Sequence, residues 1–118
     1  MEFKRFVVPS DEYLIDVLGV SSEEVEGEVA ARLLRLTSVS GEDVLISYDV
    51  PGRSFRVQIS SGGTKYLDLL RESATEFSIA VENGEFHVRV TLESMDLIGE
   101  LEILVGDEIV VRDKLLMA

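Results

Sequence analysis

The sequence contains no cysteine and no tryptophan, and it contains a single histidine. Without cysteine, these residues form no disulfide, supply no thiolate nucleophile and hold no zinc or iron–sulfur cluster through sulfur. Because the sequence has no tryptophan and few aromatic residues, few side chains could stack against sugars or bases. The composition therefore disfavours several classes of catalytic and binding protein before any motif is considered.

Basic residues and long apolar runs are also scarce. Lysine and arginine total 11 against 23 acidic residues, which gives a net charge of −12. Affinity for nucleic acid depends on cations that neutralise phosphates, so this balance predicts no nucleic-acid binding. The acidic charge would attract a basic partner, or it only keeps a small protein soluble. No apolar run reaches the roughly 20 residues of a membrane span, and MEFKRFVVPSDEY lacks the longer apolar region of a signal peptide. We therefore expect no membrane association and a cytoplasmic location.

What the sequence does contain is enough apolar material for a folded core. Apolar residues make up 46% of its 118 residues, which is sufficient for a chain of this size to bury a core without disulfides or metals. Glycine and proline fall singly between patterned segments, and we find no linker and no internal repeat. The sequence predicts one domain over residues 1–118.

The N-terminal region predicts a strand followed by a short helix. Residues 2–8 are suited to a first strand, which Pro9 ends. Ser10 lies where a helix N-cap is expected, with acidic residues in the following turn, and Gly19 lies where a C-terminal cap is expected. We therefore predict a helix from Ser10 to Leu18.

The central region predicts antiparallel hairpins. The segments SFRVQIS, EFSIAVE and EFHVRVTLE alternate apolar and polar residues, as half-buried strands do. Asn83-Gly84 is a strong hairpin signal, and Pro51-Gly52 marks a second turn. The two turns predict these cross-strand pairs: Val81–Phe86, Ile79–Val88, Phe77–Val90, Tyr48–Phe55, Ile46–Val57 and Val44–Ile59.

The C-terminal segment LIGELEILVGDEIVVRDKLLMA is apolar on both faces in places, with a turn expected at Gly106-Asp107. Either the N-terminal helix or a second copy of the chain must cover this surface. We favour a homodimer through the C-terminal strands. The apolar residues concerned are Val105, Ile109, Val110, Val111, Leu115, Leu116 and Met117.

Together these patterns predict an α+β fold. We expect a mainly antiparallel β-sheet of five to seven hairpin-rich strands, with one or two short N-terminal helices packed on one face.

The stretch SSEEVEGE, residues 21–28, concentrates acidic charge in the part of the chain that is hardest to assign. Ser21 and Glu24 have capping-box spacing, whereas Gly27 weakens a helix. We predict a short acidic helical or irregular stretch and then a strand from about Val29 to Val39. The acidic side chains either suit a helix start or form the rim of a surface for a basic partner. These candidate partner-binding residues are Glu23, Glu24, Glu26 and Glu28.

A glycine-rich loop, SSGGTK, is the candidate anion site. It follows a strand and precedes a predicted short helix from Lys65 to Glu72, so an anion could bind at the helix N-terminus. The order of residues does not match a phosphate-binding P-loop. The favoured interpretation is a plain loop with Thr64 as N-cap, and the anion site is the alternative. The candidate anion-binding residues are Gly62, Gly63, Thr64 and Lys65.

His87 is the obvious candidate for a general base, but its setting predicts a surface residue. It falls on the outward face of its strand, near Glu82 and Glu85 in the hairpin register. No serine or aspartate stands at a spacing that indicates a catalytic triad. Glu93 with Asp96, or Asp107 with Glu108, could take a hard cation through oxygen, but neither pair belongs to an EF-hand loop or a histidine–carboxylate set. We therefore predict no catalytic residue, metal site or cofactor.

These properties favour a binding protein over an enzyme. In composition the chain is similar to small acidic inhibitors and immunity proteins, which neutralise basic toxins. We therefore predict a non-enzymatic protein-binding domain of inhibitor or immunity type for a basic partner. The alternatives are a small-molecule or anion-binding module that uses residues 60–65, and a structural subunit of a homo-oligomer.

Overall fold

The alternation of apolar and polar residues produces antiparallel strands along most of the chain. The structure is a computed structural model that describes residues 5–95 and 97–117. The described part contains one helix, α1 (Asp11–Leu18), and nine strands. The strands are β1 (Glu23–Val25), β2 (Glu28–Thr37), β3 (Asp43–Asp49), β4 (Ser54–Ser61), β5 (Thr64–Arg71), β6 (Ala74–Glu82), β7 (Glu85–Ser94), β8 (Leu97–Val105) and β9 (Ile109–Met117).

Each strand pairs with its neighbour in sequence, and the strands divide into two sheets. The first sheet has the order β1-β2-β3-β4-β5, and the second has the order β6-β7-β8-β9. The predicted α+β class with antiparallel hairpins is confirmed. The expected number of five to seven strands is wrong, because residues 23–25 and 64–71, which we had assigned to helical or irregular structure, also form strands.

Both predicted hairpin registers are confirmed. Across the Asn83-Gly84 turn, the structure pairs Val81 with Phe86, Ile79 with Val88 and Phe77 with Val90. Across the Pro51-Gly52 turn, it pairs Tyr48 with Phe55, Ile46 with Val57 and Val44 with Ile59. Register is strongly specified here because a slip by one residue would turn every apolar side chain of the strand to the opposite face.

The apolar faces of the two sheets share a single core. Tyr48 and Phe55 of the first sheet pack edge-on against Phe77 of the second, with ring centroids 5.1 and 5.3 Å apart. Such edge-to-face pairs are favourable beyond the apolar area that they bury. The opposite, polar faces of the two sheets point outward and are open to a partner, as are the sheet edges and the turns.

Helix α1 joins the edges of the two sheets on one side of the core. The helix buries Leu14 and Leu18, and its Tyr13 hydroxyl donates a 2.9 Å hydrogen bond to the carbonyl oxygen of Ile79 on β6. The caps are as predicted: the Ser10 hydroxyl accepts from the backbone N–H of Tyr13 at 3.1 Å, and Gly19, at φ 68°, bonds back to the last turn.

The predicted first strand, residues 2–8, is partly outside the described residues. In the described part, Val7 forms a single parallel bridge with Glu76 at the start of β6. The Val7 N–H donates to Thr75 O at 2.9 Å, and its carbonyl accepts from Phe77 N–H at 2.8 Å. The segment therefore covers part of the free edge of β6.

The turn predicted at Gly106-Asp107 is present between β8 and β9. Val105 is buried, Ile109 and Val111 pack at the border of the core, and Val110 is exposed. The side chains of Leu115, Leu116 and Met117 lie outside the described set. The homodimer through these strands stays a prediction.

Within residues 5–95 and 97–117, no helix has the length and apolar character needed to cross a membrane.

Candidate functional site

Residues 21–28 form an acidic β-hairpin, so the helical or irregular stretch that we expected there is wrong. β1 pairs antiparallel with β2, and Val25 faces Glu28 across a two-residue turn. Gly27 takes φ 81° in this turn, a conformation that favours glycine. The capping-box spacing of Ser21 and Glu24 was outweighed because β2 pairs along its length with β3 and offers β1 a ready partner.

The charges of this acidic hairpin differ in how they are matched within the chain. Glu23 is neutralised by Arg35, with 2.7 Å between its Oε2 and the arginine Nε. Glu28 lies near enough to Arg56 to help raise the pKa of that guanidinium, after the larger effect of Asp68. Glu24 and Glu26 are exposed, and no ion pair to either is found among the described residues. The tip therefore projects uncompensated negative charge.

A polar cluster fixes the base of the acidic hairpin to helix α1. The Ser22 hydroxyl donates to Asp11 Oδ1 at 2.7 Å, and Arg32 Nη2 donates to the Ser22 hydroxyl at 2.6 Å. Arg32 also lies 3.8 Å from the Asp11 carboxylate. The neighbouring Tyr48 is almost fully buried, and this burial raises the pKa of its hydroxyl. The hairpin is thus presented from a fixed position.

Sequence reasoning missed this cluster. Ser22 lies ten residues from Arg32 and 11 residues from Asp11. No local spacing rule joins them, and only the pairing of β1 with β2 and the position of the helix bring them together.

Most cations of the described chain are bound to its own carboxylates. Because these ion pairs use up the cations, the surplus acidic residues have no cation of the chain to neutralise them. The net charge of −12 can therefore attract a basic partner. The pairs are Arg32–Asp11, Arg35–Glu23, Arg56–Asp68, Lys65–Asp68, Arg71–Asp113, Arg89–Glu100, Arg112–Glu102 and Lys114–Glu102.

The glycine-rich loop closes the hairpin of β4 and β5, so the helix predicted from Lys65 to Glu72 is wrong. Gly62 and Gly63 have φ of 58° and 83°, and Thr64 starts β5 instead of capping a helix. The segment TKYLDLLR suits a strand once β4 provides hydrogen bonds along its length. The anion-binding prediction therefore loses the helix N-terminus on which it depended, and the Lys65 ammonium lies 3.9 Å from the Asp68 carboxylate.

His87 lies on the outer face of the second sheet, as predicted. Its Nδ1 is 3.8 Å from a carboxylate oxygen of Glu82, and its Nε2 is 3.9 Å from one of Glu85. In the described part of the chain, the imidazole has no hydrogen bond to a hydroxyl nucleophile. Its neighbours are those of a residue in a surface charge network.

The same outer face carries a network of charges around Glu102. Arg89, Arg112 and Lys114 each lie 3.6 Å from its carboxylate, whose side chain is only 14% exposed. Partial burial acts to raise the pKa of Glu102, but Lys114 and the other donors outweigh it and hold the pKa below its usual range. This face is therefore largely matched within itself. Across residues 5–95 and 97–117, no group of histidine and acidic residues is arranged to hold a metal ion.

Comparison with known proteins gives one informative likeness. No family model matches the chain, and no curated protein matches its sequence. The fold is similar to that of a chain in the structure described as "Contact-dependent growth inhibition toxin - immunity protein complex from Klebsiella pneumoniae 342". The TM-score is 0.78 with 16% identity, and the match covers 97% of this chain and 100% of that chain. At this identity the likeness establishes a shared fold.

Proposed function

We propose that this chain is a non-enzymatic immunity-type protein that binds a basic toxin and neutralises it. The observation that carries the proposal is the fold likeness, over nearly the whole of both chains, to a component of a toxin–immunity complex. The description of that complex names two components, and the charge of this chain favours the immunity role. A surplus of 12 negative charges suits the component that attracts a cationic protein.

The acidic hairpin is the part of the surface that we assign to steering the toxin. Glu24 and Glu26 project from a tip whose base is fixed by Ser22 and Arg32, so their charge is held in a defined place. Charge complementarity of this kind raises the association rate and favours partners of opposite charge. The proposal therefore concerns recognition of a protein surface and requires neither a cofactor nor a bound metal.

The experiment compares two variants of equal charge. The tagged protein captures its partner from the source cells, and the partner is purified and its association rate measured at several salt concentrations. Replacing Glu23, Glu24, Glu26 and Glu28 by glutamine should slow association by about tenfold and flatten its salt dependence, because steering is lost. The matched control neutralises four exposed acidic residues elsewhere: Asp16, Glu76, Asp107 and Glu108.

The control removes the same total charge and should change the association rate much less. Both variants should keep the unfolding midpoint of the wild type within a few degrees, because exposed charges add little to stability. Equal association rates in the two variants would remove the hairpin from the interface. A partner that binds with no salt dependence at all would contradict electrostatic recognition.

A further inference from the structure

Three of the four outer sheet edges are protected by features of this chain. The β6 edge is covered by Val7 and by the Tyr13 hydroxyl. β1 has only three residues and a register shift next to Val25. β9 carries Arg112, Asp113 and Lys114 in its middle, and Asp113 pairs with the buried Leu101, so a charge lies on the inner face. Short strands, irregularities and inward charges all discourage pairing with another chain.

The β5 edge lacks these features between Leu67 and Leu70, whereas its last residue, Arg71, pairs with the buried Phe55 and so places a charge on the inner face. Its register with β4 runs without a shift from Leu67 to Arg71, and within the described residues β5 pairs with β4 alone. Leu67 and Leu69 are only half-buried at the border of the core. Leu70 points to the outer face and is 56% exposed. Between Leu67 and Leu70 the strand therefore offers backbone groups flanked by apolar side chains on both faces, with the Leu70 carbonyl already accepting from the Arg71 guanidinium.

We propose that an extended segment of the cationic protein partner adds to the first sheet by pairing with β5. An unprotected apolar edge invites aggregation unless a partner occupies it, and strand addition satisfies its free N–H and C=O groups. This inference rests on the proposed function and assigns the surface that the toxin occupies after the acidic hairpin has attracted it. The segment carries apolar side chains level with Leu67 and Leu69.

Charge favours a different protein over a second copy at this edge. Two copies bring together two net charges of −12, which repel each other. Antiparallel self-pairing centred on Asp68 would set the two Asp68 carboxylates opposite each other and Lys65 opposite Arg71. Like charges directly opposite destabilise a strand pair. A segment of a different protein avoids both obstacles when its basic residues lie away from Lys65 and Arg71.

The first test uses a short, end-capped peptide of alternating valine and lysine. In NMR titrations of the whole protein, its addition should shift the backbone amide resonances of residues 64–71 before those of β9. The same peptide methylated on alternate backbone nitrogens keeps its charge but cannot complete the hydrogen bonds, so it should bind about tenfold more weakly. Shifts spread over all acidic surfaces, or equal binding of the methylated peptide, would overturn the inference.

The second test uses the captured partner and two matched lysine variants. Leu70→Lys places a charge on the β5 edge and should weaken partner binding by about tenfold. Val110→Lys adds the same charge at an exposed apolar position of β9 and should leave binding within about twofold of wild type. A partner that binds Leu70→Lys as well as wild type would overturn the edge assignment and leave the proposed function standing.

The peptide titration and the partner capture together distinguish failure of the edge inference from failure of the proposed function. If no partner is captured but the peptide still shifts residues 64–71, strand addition at the β5 edge is supported, and the toxin as its occupant is not. If neither binds, the inference is overturned. Sedimentation of the chain alone tests whether a second copy occupies the β5 edge. If the chain self-associates, and Leu70→Lys abolishes this association while Val110→Lys keeps it, a second copy is the occupant and the inference is overturned.

Discussion

At the scale of single residues, backbone conformation at the Asn83-Gly84 turn determines the register of the longest predicted hairpin. Both residues have positive φ, 51° and 78°, as the tight turn requires. A Cβ added at Gly84 would meet no atom within 4 Å, so any cost of substitution comes from conformation and not from a clash.

Gly84→Val should lower the free energy of unfolding by roughly 1–2 kcal/mol, because a β-branched residue resists positive φ. Urea unfolding measures this value. Gly84→Asn is the matched control and should cost clearly less, since asparagine tolerates the left-handed region. Equal costs for valine and asparagine would show that φ does not limit this turn.

Asp68 illustrates a pKa set by hydrogen bonds at the surface. Arg56 donates to both carboxylate oxygens, at 2.8 and 2.7 Å, and Gln58 donates a third hydrogen bond. The hydrogen bonds from Arg56 are the largest cause that lowers the pKa of Asp68 from 3.8 to about 2, and Gln58 and Lys65 add to the effect. Because the folded pKa is depressed, this carboxylate stabilises the fold above pH 3.8, and that contribution is lost as pH falls through about 2.

Arg56→Gln should move the NMR titration midpoint of Asp68 upward from about 2 towards 3.8. The variant should be less stable than wild type above pH 3.8, and the difference should vanish as pH approaches about 2. Arg35→Gln, which loses a different ion pair, should leave the Asp68 midpoint in place. An unchanged midpoint in Arg56→Gln would contradict the assignment of the shift to this hydrogen bond.

At the scale of elements, helix α1 is held to β6 by one side-chain hydrogen bond in addition to its buried leucines. Tyr13→Phe removes the donor to Ile79 O and should lower the free energy of unfolding by about 1 kcal/mol. Val17→Ala, on the exposed side of the same helix, should change it by less than about half as much. Urea unfolding measures both values. If Tyr13→Phe and Val17→Ala lower the free energy of unfolding equally, the hydrogen bond of Tyr13 does not anchor the helix.

The helix and hairpins that were predicted correctly are those for which capping residues, turn residues and apolar alternation agree. Ser10 and Gly19 cap helix α1, and two turns agree with the alternation of their flanking strands. The errors fall at residues 22–28 and 65–72, where apolar spacing fits either a helix or a strand. There the outcome depends on β2 and β4, whose free edges lie alongside, and pairing with a distant edge is not visible in local spacing.

At the scale of the whole molecule, charge was predictable but its placement was not. The surplus of 23 acidic over 11 basic residues can be counted from the sequence. The register of β1 with β2 and the cross-strand geometry decide which acidic side chains find a cation. They place Glu23 beside Arg35 and leave Glu24 and Glu26 exposed. The unprotected β5 edge was missed for the same reason, since the segment was assigned to a helix.

Growth of cells that express the partner reports directly on the immunity function. The captured partner is expressed from an inducible promoter in a neutral host, alone and together with this chain. We predict that the partner arrests growth and that the wild-type chain restores it, whereas the variant with glutamine in place of Glu23, Glu24, Glu26 and Glu28 restores it less well. A partner that does not arrest growth, or an arrest that the wild-type chain fails to relieve, would contradict the immunity function.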